Sequence, residues 1–169
     1  DMTFSVFVPG HAPGTKLPVL WYLSGLTCTH ANVTEKGEYR AACARHGIKL
    51  VDFQVFSREV PSRETVLAAQ QLFENIAYPA LMHCKSGADR AGVMAVLYKL
   101  LRERVSYADA IDQLSGKYLH VKHGKTGVLD AFVEAYAAFN AGKPAGAWKA
   151  FLDWVRDDYD RAAIKEAFA

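Results

Sequence analysis

The stretch Ala80-Leu81-Met82-His83-Cys84-Lys85-Ser86-Gly87-Ala88-Asp89-Arg90-Ala91-Gly92 constrains this chain more than any other. A short apolar run preceded by Pro79 closes on a His-Cys pair, passes through a loop containing Gly87 and re-enters a long apolar segment, residues 93–101. Residues 78–82 are too few for a helix and read as a buried strand of a parallel sheet, whereas 93–101 are long enough for a buried helix. A strand followed at once by a helix places the intervening loop at the carboxyl edge of the sheet. There the first helical amides point outward without intrahelical partners.

Those amides and the helix dipole favour an anion. Gly87 lets the backbone curl so that successive N–H groups converge on one centre, the nest geometry that holds phosphate. The same field favours the thiolate of Cys84, which makes it a nucleophile. Arg90 can return over the loop with a planar fork that grips two oxygens of a tetrahedral oxyanion, which a lysine could not do. Phosphoryl transfer requires this arrangement, with the nucleophile behind phosphorus and donors on the equatorial oxygens. His83 is expected to brace the loop.

The spacing His83-Cys84-(five residues)-Arg90 resembles the signature loop of the cysteine-dependent protein tyrosine phosphatases, including the dual-specificity and lipid phosphatase branches, and Cys-Lys-Ser-Gly-Ala-Asp-Arg-Ala-Gly looks most like small bacterial members. The resemblance runs from about Ile48 to the C-terminus. It implies that Cys84 forms a phosphocysteine, that Arg90 binds the phosphate and the transition state, and that the amides of Lys85, Ser86, Gly87, Ala88, Asp89 and Arg90 form the cradle. It implies no metal and no cofactor. Substrates would be a phosphorylated protein or a small phosphate ester.

At 169 residues, 51% of them hydrophobic, the chain is expected to form a single α/β domain over 1–169. A net charge of +2 gives no argument for nucleic acid or a membrane surface as partner. Cys28, Cys43 and Cys84 are odd in number and lack metal-ligand spacing, which favours a reducing compartment over a disulfide framework. No apolar stretch is long enough to span a bilayer, and the opening residues lack a signal-peptide layout, so a cytoplasmic location is expected. Asp1 stands where a methionine would open a complete chain, as in a chain trimmed upstream or an engineered one.

Residues 2–8 alternate as a strand, and 17–23 read as a second, central one with Pro18 at its start. The stretch from Met2 to about Cys43, including Leu-Pro-Val-Leu-Trp-Tyr-Leu-Ser-Gly-Leu-Thr-Cys-Thr-His-Ala-Asn, closely resembles the start of S-formylglutathione hydrolase, an α/β-hydrolase esterase. That family implies an oxyanion-hole role for Ser24 to Thr29, but its chemistry needs a serine on a Gly-x-Ser-x-Gly elbow. No such elbow occurs in this chain; Ser86 before Gly87 and Ser115 before Gly116 both lack the first glycine. Esterase activity is therefore not the leading expectation. The chain reads as a hybrid, with hydrolase-like strands and helix over 1–47 and a phosphatase-like portion over 48–169, joined near Ala41 to Lys49, where Gly47 ends a helix.

Residues 48–56 read as the next strand, and Ser62 as the cap of a helix with apolar positions Val66, Ala69, Phe73 and Ile76. Three carboxylates compete as general acid: Asp89 in the signature loop, Glu59 in the preceding loop and Asp52 at the strand. Asp89 is favoured because the loop itself sets its place beside Arg90; bracing Arg90 or capping the helix are its alternative roles. Ser106 and Asp109 form a capping box for a helix over 107–114. The basic stretch 117–127 reads as a solvated connection or a contact for an acidic substrate, and His120 and His123 lack a third ligand for a metal. Leu129, Phe132, Val133, Tyr136 and Ala137 mark one amphipathic helix, and Trp148, Phe151, Leu152 and Val155 another.

The expected architecture is thus α/β, a short mainly parallel sheet flanked by helices, phosphatase-like, with extra C-terminal helices. The expected function is phosphate monoester hydrolysis through a phosphocysteine. A catalytically weak chimera that only binds anions is the first alternative, and an esterase the second.

Overall fold

The computed structural model describes residues 39–84, 86–144 and 147–169. The expected strands over 2–8 and 17–23, the Ser24 to Thr29 segment and Lys85 lie outside the described residues. The chain divides into two units, 1–54 and 55–169.

In the first unit, helix α1 (Tyr39–Arg45) ends where the sequence signals it. The Ile48 amide donates to the Cys43 carbonyl at 2.8 Å and the Gly47 amide to that of Ala44 at 3.2 Å, the paired bonds of a Schellman stop.

The second unit is built from helices. They are α2 (Arg63–Asn75), α3 (Asp89–Tyr98), α4 (Tyr107–Ile111), α5 (Val128–Asn140), α6 (Phe151–Asp157) and α7 (Arg161–Phe168). A π-helical turn, Lys99–Glu103, continues α3, and two 3-10 turns, Gly116–Tyr118 and Lys125–Gly127, join α4 to α5. Ser62 caps α2 by accepting from the Thr65 amide, and Ser106 caps α4 by accepting from the Asp109 amide while donating to its carboxylate at 2.6 Å. Both caps stand at the predicted positions, although α4 stops at Ile111, short of 114.

The expected parallel sheet is overturned: there is no strand among the described residues. Residues 48–56 and 78–82 have no regular structure, and most of their apolar side chains stand in solvent, with Leu81 64% and Phe56 53% exposed, although Val55 is buried and Phe53 half-buried. A strand exists only when a neighbour takes its backbone hydrogen bonds, and an apolar run can advertise that capacity without obtaining the neighbour. The unit is instead a helical assembly, and the C-terminal helices cover other helices rather than a sheet face.

Its core forms where α2 packs on α3 and α6, and α5 on α4 and α7. Val66, Ala69, Val93, Val96, Leu97, Leu129 and Phe132 are fully buried. Phe132 is ringed by Phe151, Trp154 and Tyr159 at centroid distances of 6.0, 6.2 and 5.4 Å. Trp148, expected in the same apolar stripe, is exposed and donates its indole N–H to the Lys143 carbonyl.

Polar bonds clasp the stretch before α2 to the stretch before α7. Arg63 donates to the carbonyls of Tyr159 and Arg156, Arg161 to that of Val60, and the Tyr159 hydroxyl to that of Pro61. Burial pushes the Tyr159 phenol well above its ordinary pKa of 10.0, so it remains a donor. Among the described residues no helix is long and apolar enough to cross a membrane.

Candidate active site

The loop Cys84 to Asp89 leads directly into α3. The first helical bond runs from the Gly92 amide to the Ala88 carbonyl at 3.0 Å. The amides of Asp89, Arg90 and Ala91 thus lie outside the helical ladder, at the positive end of the helix dipole. Gly87 has φ +79, a left-handed turn that a side chain would strain by about 1–2 kcal/mol.

Each expected site residue except Lys85 can be placed on this frame. Cys84 is a free, half-buried thiol; Ser86 and Gly87 are exposed; Ala88 is buried; Arg90, the second residue of α3, is half-buried. His83 is exposed. A cleft of about 190 Å3 opens beside the loop, walled by Met82 and Gly87, by Ala91, Gly92 and Ala95 of α3, and by Gln113 and Tyr118.

Asp89 is drawn to a partner the sequence did not suggest. Its Oδ1 lies 2.8 Å from Nδ1 of His120, and Nε2 of the same ring lies 2.7 Å from Oδ2 of Asp130. The His120 and Asp130 side chains are buried, at 1% and 4% exposure, while that of Asp89 reaches solvent at 27%. Asp89 is the first residue of α3, in the turn where a carboxylate meets the positive end of the helix dipole.

Burial alone would lower the His120 pKa. The hydrogen bonds to Asp130 and Asp89, reinforced by their charges, outweigh it and hold the ring above its ordinary 6.5. When protonated, the ring donates to both carboxylates. A folded-state pKa above the unfolded value stabilises the protein fully below pH 6.5 and progressively less as pH rises through the folded value. The thermal midpoint is therefore expected to fall as pH is raised above 6.5, and thermal unfolding of His120→Asn across that range should show a flatter dependence.

Local structure explains how His120 comes to face inward. Leu119 adopts φ +64 after the first 3-10 turn, and the His120 amide returns to the Ser115 carbonyl at 3.2 Å. Leu119 and Val121 consequently stand exposed on either side of the buried histidine. The chain then closes on itself at Gly127, where an added Cβ would lie 1.9 Å from the Lys122 carbonyl oxygen. Only glycine permits that approach, and it delivers Asp130 one turn into α5.

The other two candidate acids have their own settings. Glu59 is held by Arg161 at 3.1 Å, and Asp52 is an exposed residue of the first unit. The basic stretch is partly committed too, since Lys122 pairs with Glu134. Among the described residues no three His, Cys, Asp or Glu side chains converge to hold a metal ion.

Asp130 and His120 are the site members that sequence reasoning missed. Asp130 carried a usable signal: it precedes Val133 by three residues and Ala137 by seven, on the stripe marked as apolar. A carboxylate there must find a buried partner.

Comparison with known proteins adds two findings. The chain matches the tyrosine phosphatase family over residues 15–162. Over 50 residues, 30% of this chain, it is also 48% identical to S-formylglutathione hydrolase of Paracoccus denitrificans (strain Pd 1222) and 44% identical to that of Bos taurus; over 52 residues it is 49% identical to that of Arabidopsis thaliana. It spans only 18% of the length of each of these curated relatives. The two similarities together are consistent with a hybrid chain. No solved structure matches.

Proposed function

Because the chain belongs to the tyrosine phosphatase family, we infer that it hydrolyses phosphate monoesters through Cys84. The observation that carries this reading is the entry to α3, where a half-buried free thiol and a half-buried arginine flank a loop followed by three amides outside the helical ladder. In this reading the Cys84 thiolate attacks phosphorus from behind, while Arg90 and the amides of residues 85–90 hold the equatorial oxygens. Asp89 protonates the leaving oxygen as the P–O bond breaks. Water then attacks the phosphocysteine and gives a proton to the Asp89 carboxylate, releasing inorganic phosphate and the thiolate. The cleft beside Gly87 takes the organic part of the ester, and its small-residue wall suits an aryl group.

A second reading rests on residues 78–82. With no strand behind the loop and Leu81 and Met82 exposed, the chain would bind oxyanions and turn over poorly. Parallel assays on p-nitrophenyl phosphate and p-nitrophenyl acetate separate the possibilities. Turnover of the phosphate ester alone is the expected result; vanadate binding without turnover would favour the anion-binding module, and turnover of the acetate an esterase.

A further inference from the structure

We propose that His120, clamped between Asp130 and Asp89, is the positioning residue that makes Asp89 an effective proton donor and acceptor in this reaction. The inference rests on the phosphatase reading above and extends it to a residue outside the loop.

The geometry divides the labour between the two Asp89 oxygens. Oδ1 is committed to His120 Nδ1 at 2.8 Å, which leaves Oδ2 as the oxygen free to carry the reacting proton. The Asp89 carboxylate spans the boundary between the buried ring and solvent, so one end is anchored while the other can reach a substrate. His120 is itself fixed by Asp130 at 2.7 Å, in a site too buried to offer water as a substitute. A histidine gripped from both sides has one ring orientation, and so does the carboxylate it holds.

The charges follow the same order. In the first half-reaction the proton leaves Asp89 Oδ2 for the leaving oxygen as the S–P bond forms and the P–O bond breaks, and the new carboxylate is stabilised by Nδ1–H of the imidazolium. In the second, water attacks phosphorus, its proton goes to Oδ2 and the S–P bond breaks; the carboxylate has waited in the correct orientation. The groups acting on the ring are Asp89 from α3 and Asp130 from α5. The Asp130 charge acts in turn on Tyr107 of α4 and Lys122 of the following turn. The buried acid thus has its own neighbours, and Asp89 has the ring.

The role makes the effect of the ring depend on the leaving group. A p-nitrophenolate departs with little need of a proton, whereas an alkoxide requires one. His120→Asn keeps a neutral N–H donor near the place of Nδ1 and removes the positive charge. It is expected to leave kcat/KM for p-nitrophenyl phosphate, which reports the steps through phosphocysteine formation, within a few-fold of the parent and to cut kcat/KM for an alkyl phosphate by about 10²-fold, the scale of general acid catalysis. The double variant His120→Asn/Asp130→Asn removes both buried charges together and gives the same readouts should the single variant not fold.

An unchanged ratio of kcat/KM between the two substrates, in a folded variant of either kind, would overturn the role of His120. Failure of the underlying reading looks different: the parent protein and Cys84→Ser would then turn over p-nitrophenyl phosphate equally, whatever stands at position 120.

Discussion

Cys84→Ser is expected to abolish phosphatase turnover while leaving the chain able to bind vanadate or phosphate. Serine preserves the size of the side chain and the amides around it, so anion affinity, which the backbone and Arg90 supply, should persist. A serine hydroxyl is a weak nucleophile unless an adjacent base takes its proton, whereas a thiol ionises far more readily. Removing a covalent nucleophile leaves only binding and electrostatic contributions, and losses on the order of 10⁴–10⁶ in kcat have been typical where such groups act as a unit. Rapid-quench trapping of a labelled phosphoprotein from the parent but not the variant would identify the intermediate. Labelling of both proteins, or equal rates from both, would remove Cys84 from the chemistry.

The largest expected effect on stability falls on Phe132→Ala. The ring is fully buried and meets Phe151, Trp154 and Tyr159, so truncation empties the junction of α5 and α6 with the stretch before α7. Phe-to-Ala changes at such sites cost about 3–5 kcal/mol. For a chain of this length that corresponds to a drop in Tm on the order of 10 °C. Denaturant unfolding should show a lower midpoint at a similar slope, and an unchanged midpoint would mean that the aromatic cluster does not hold the unit together.

These two predictions draw on features that the sequence revealed unevenly. Ser62, Ser106 and the stripe through Leu129, Phe132 and Val133 could be placed on helices in advance, because a cap and an i, i+3, i+4 pattern depend on residues within a few positions of one another. The order of Cys84, Gly87 and Arg90 around the start of a helix was legible for the same reason. The sheet was not. Residues 48–56 and 78–82 have the composition of strands, but pairing depends on a partner distant in the chain, and residues 78–82 end up with Leu81 in solvent. His120 was hidden by an inversion of polarity: Leu119 and Val121 face outward and the histidine inward, so a reading by hydropathy assigns all three to the wrong side. Asp89 was recognised as an acid worth attention, yet its partner lies 31 positions away and no local rule connects them.

The clasp formed by Arg63, Arg161 and Tyr159 has a bearing on how the polypeptide is made. The bonds join residues separated by 93 to 101 positions, so on the ribosome the start of α2 must wait until residues 156–161 have left the exit tunnel. Until then Val60 and Pro61, both sealed in the finished molecule or nearly so, remain open to water and to chaperones. A nascent chain halted before Arg156 would accordingly be protease-sensitive at the beginning of α2, far from the point at which synthesis stopped.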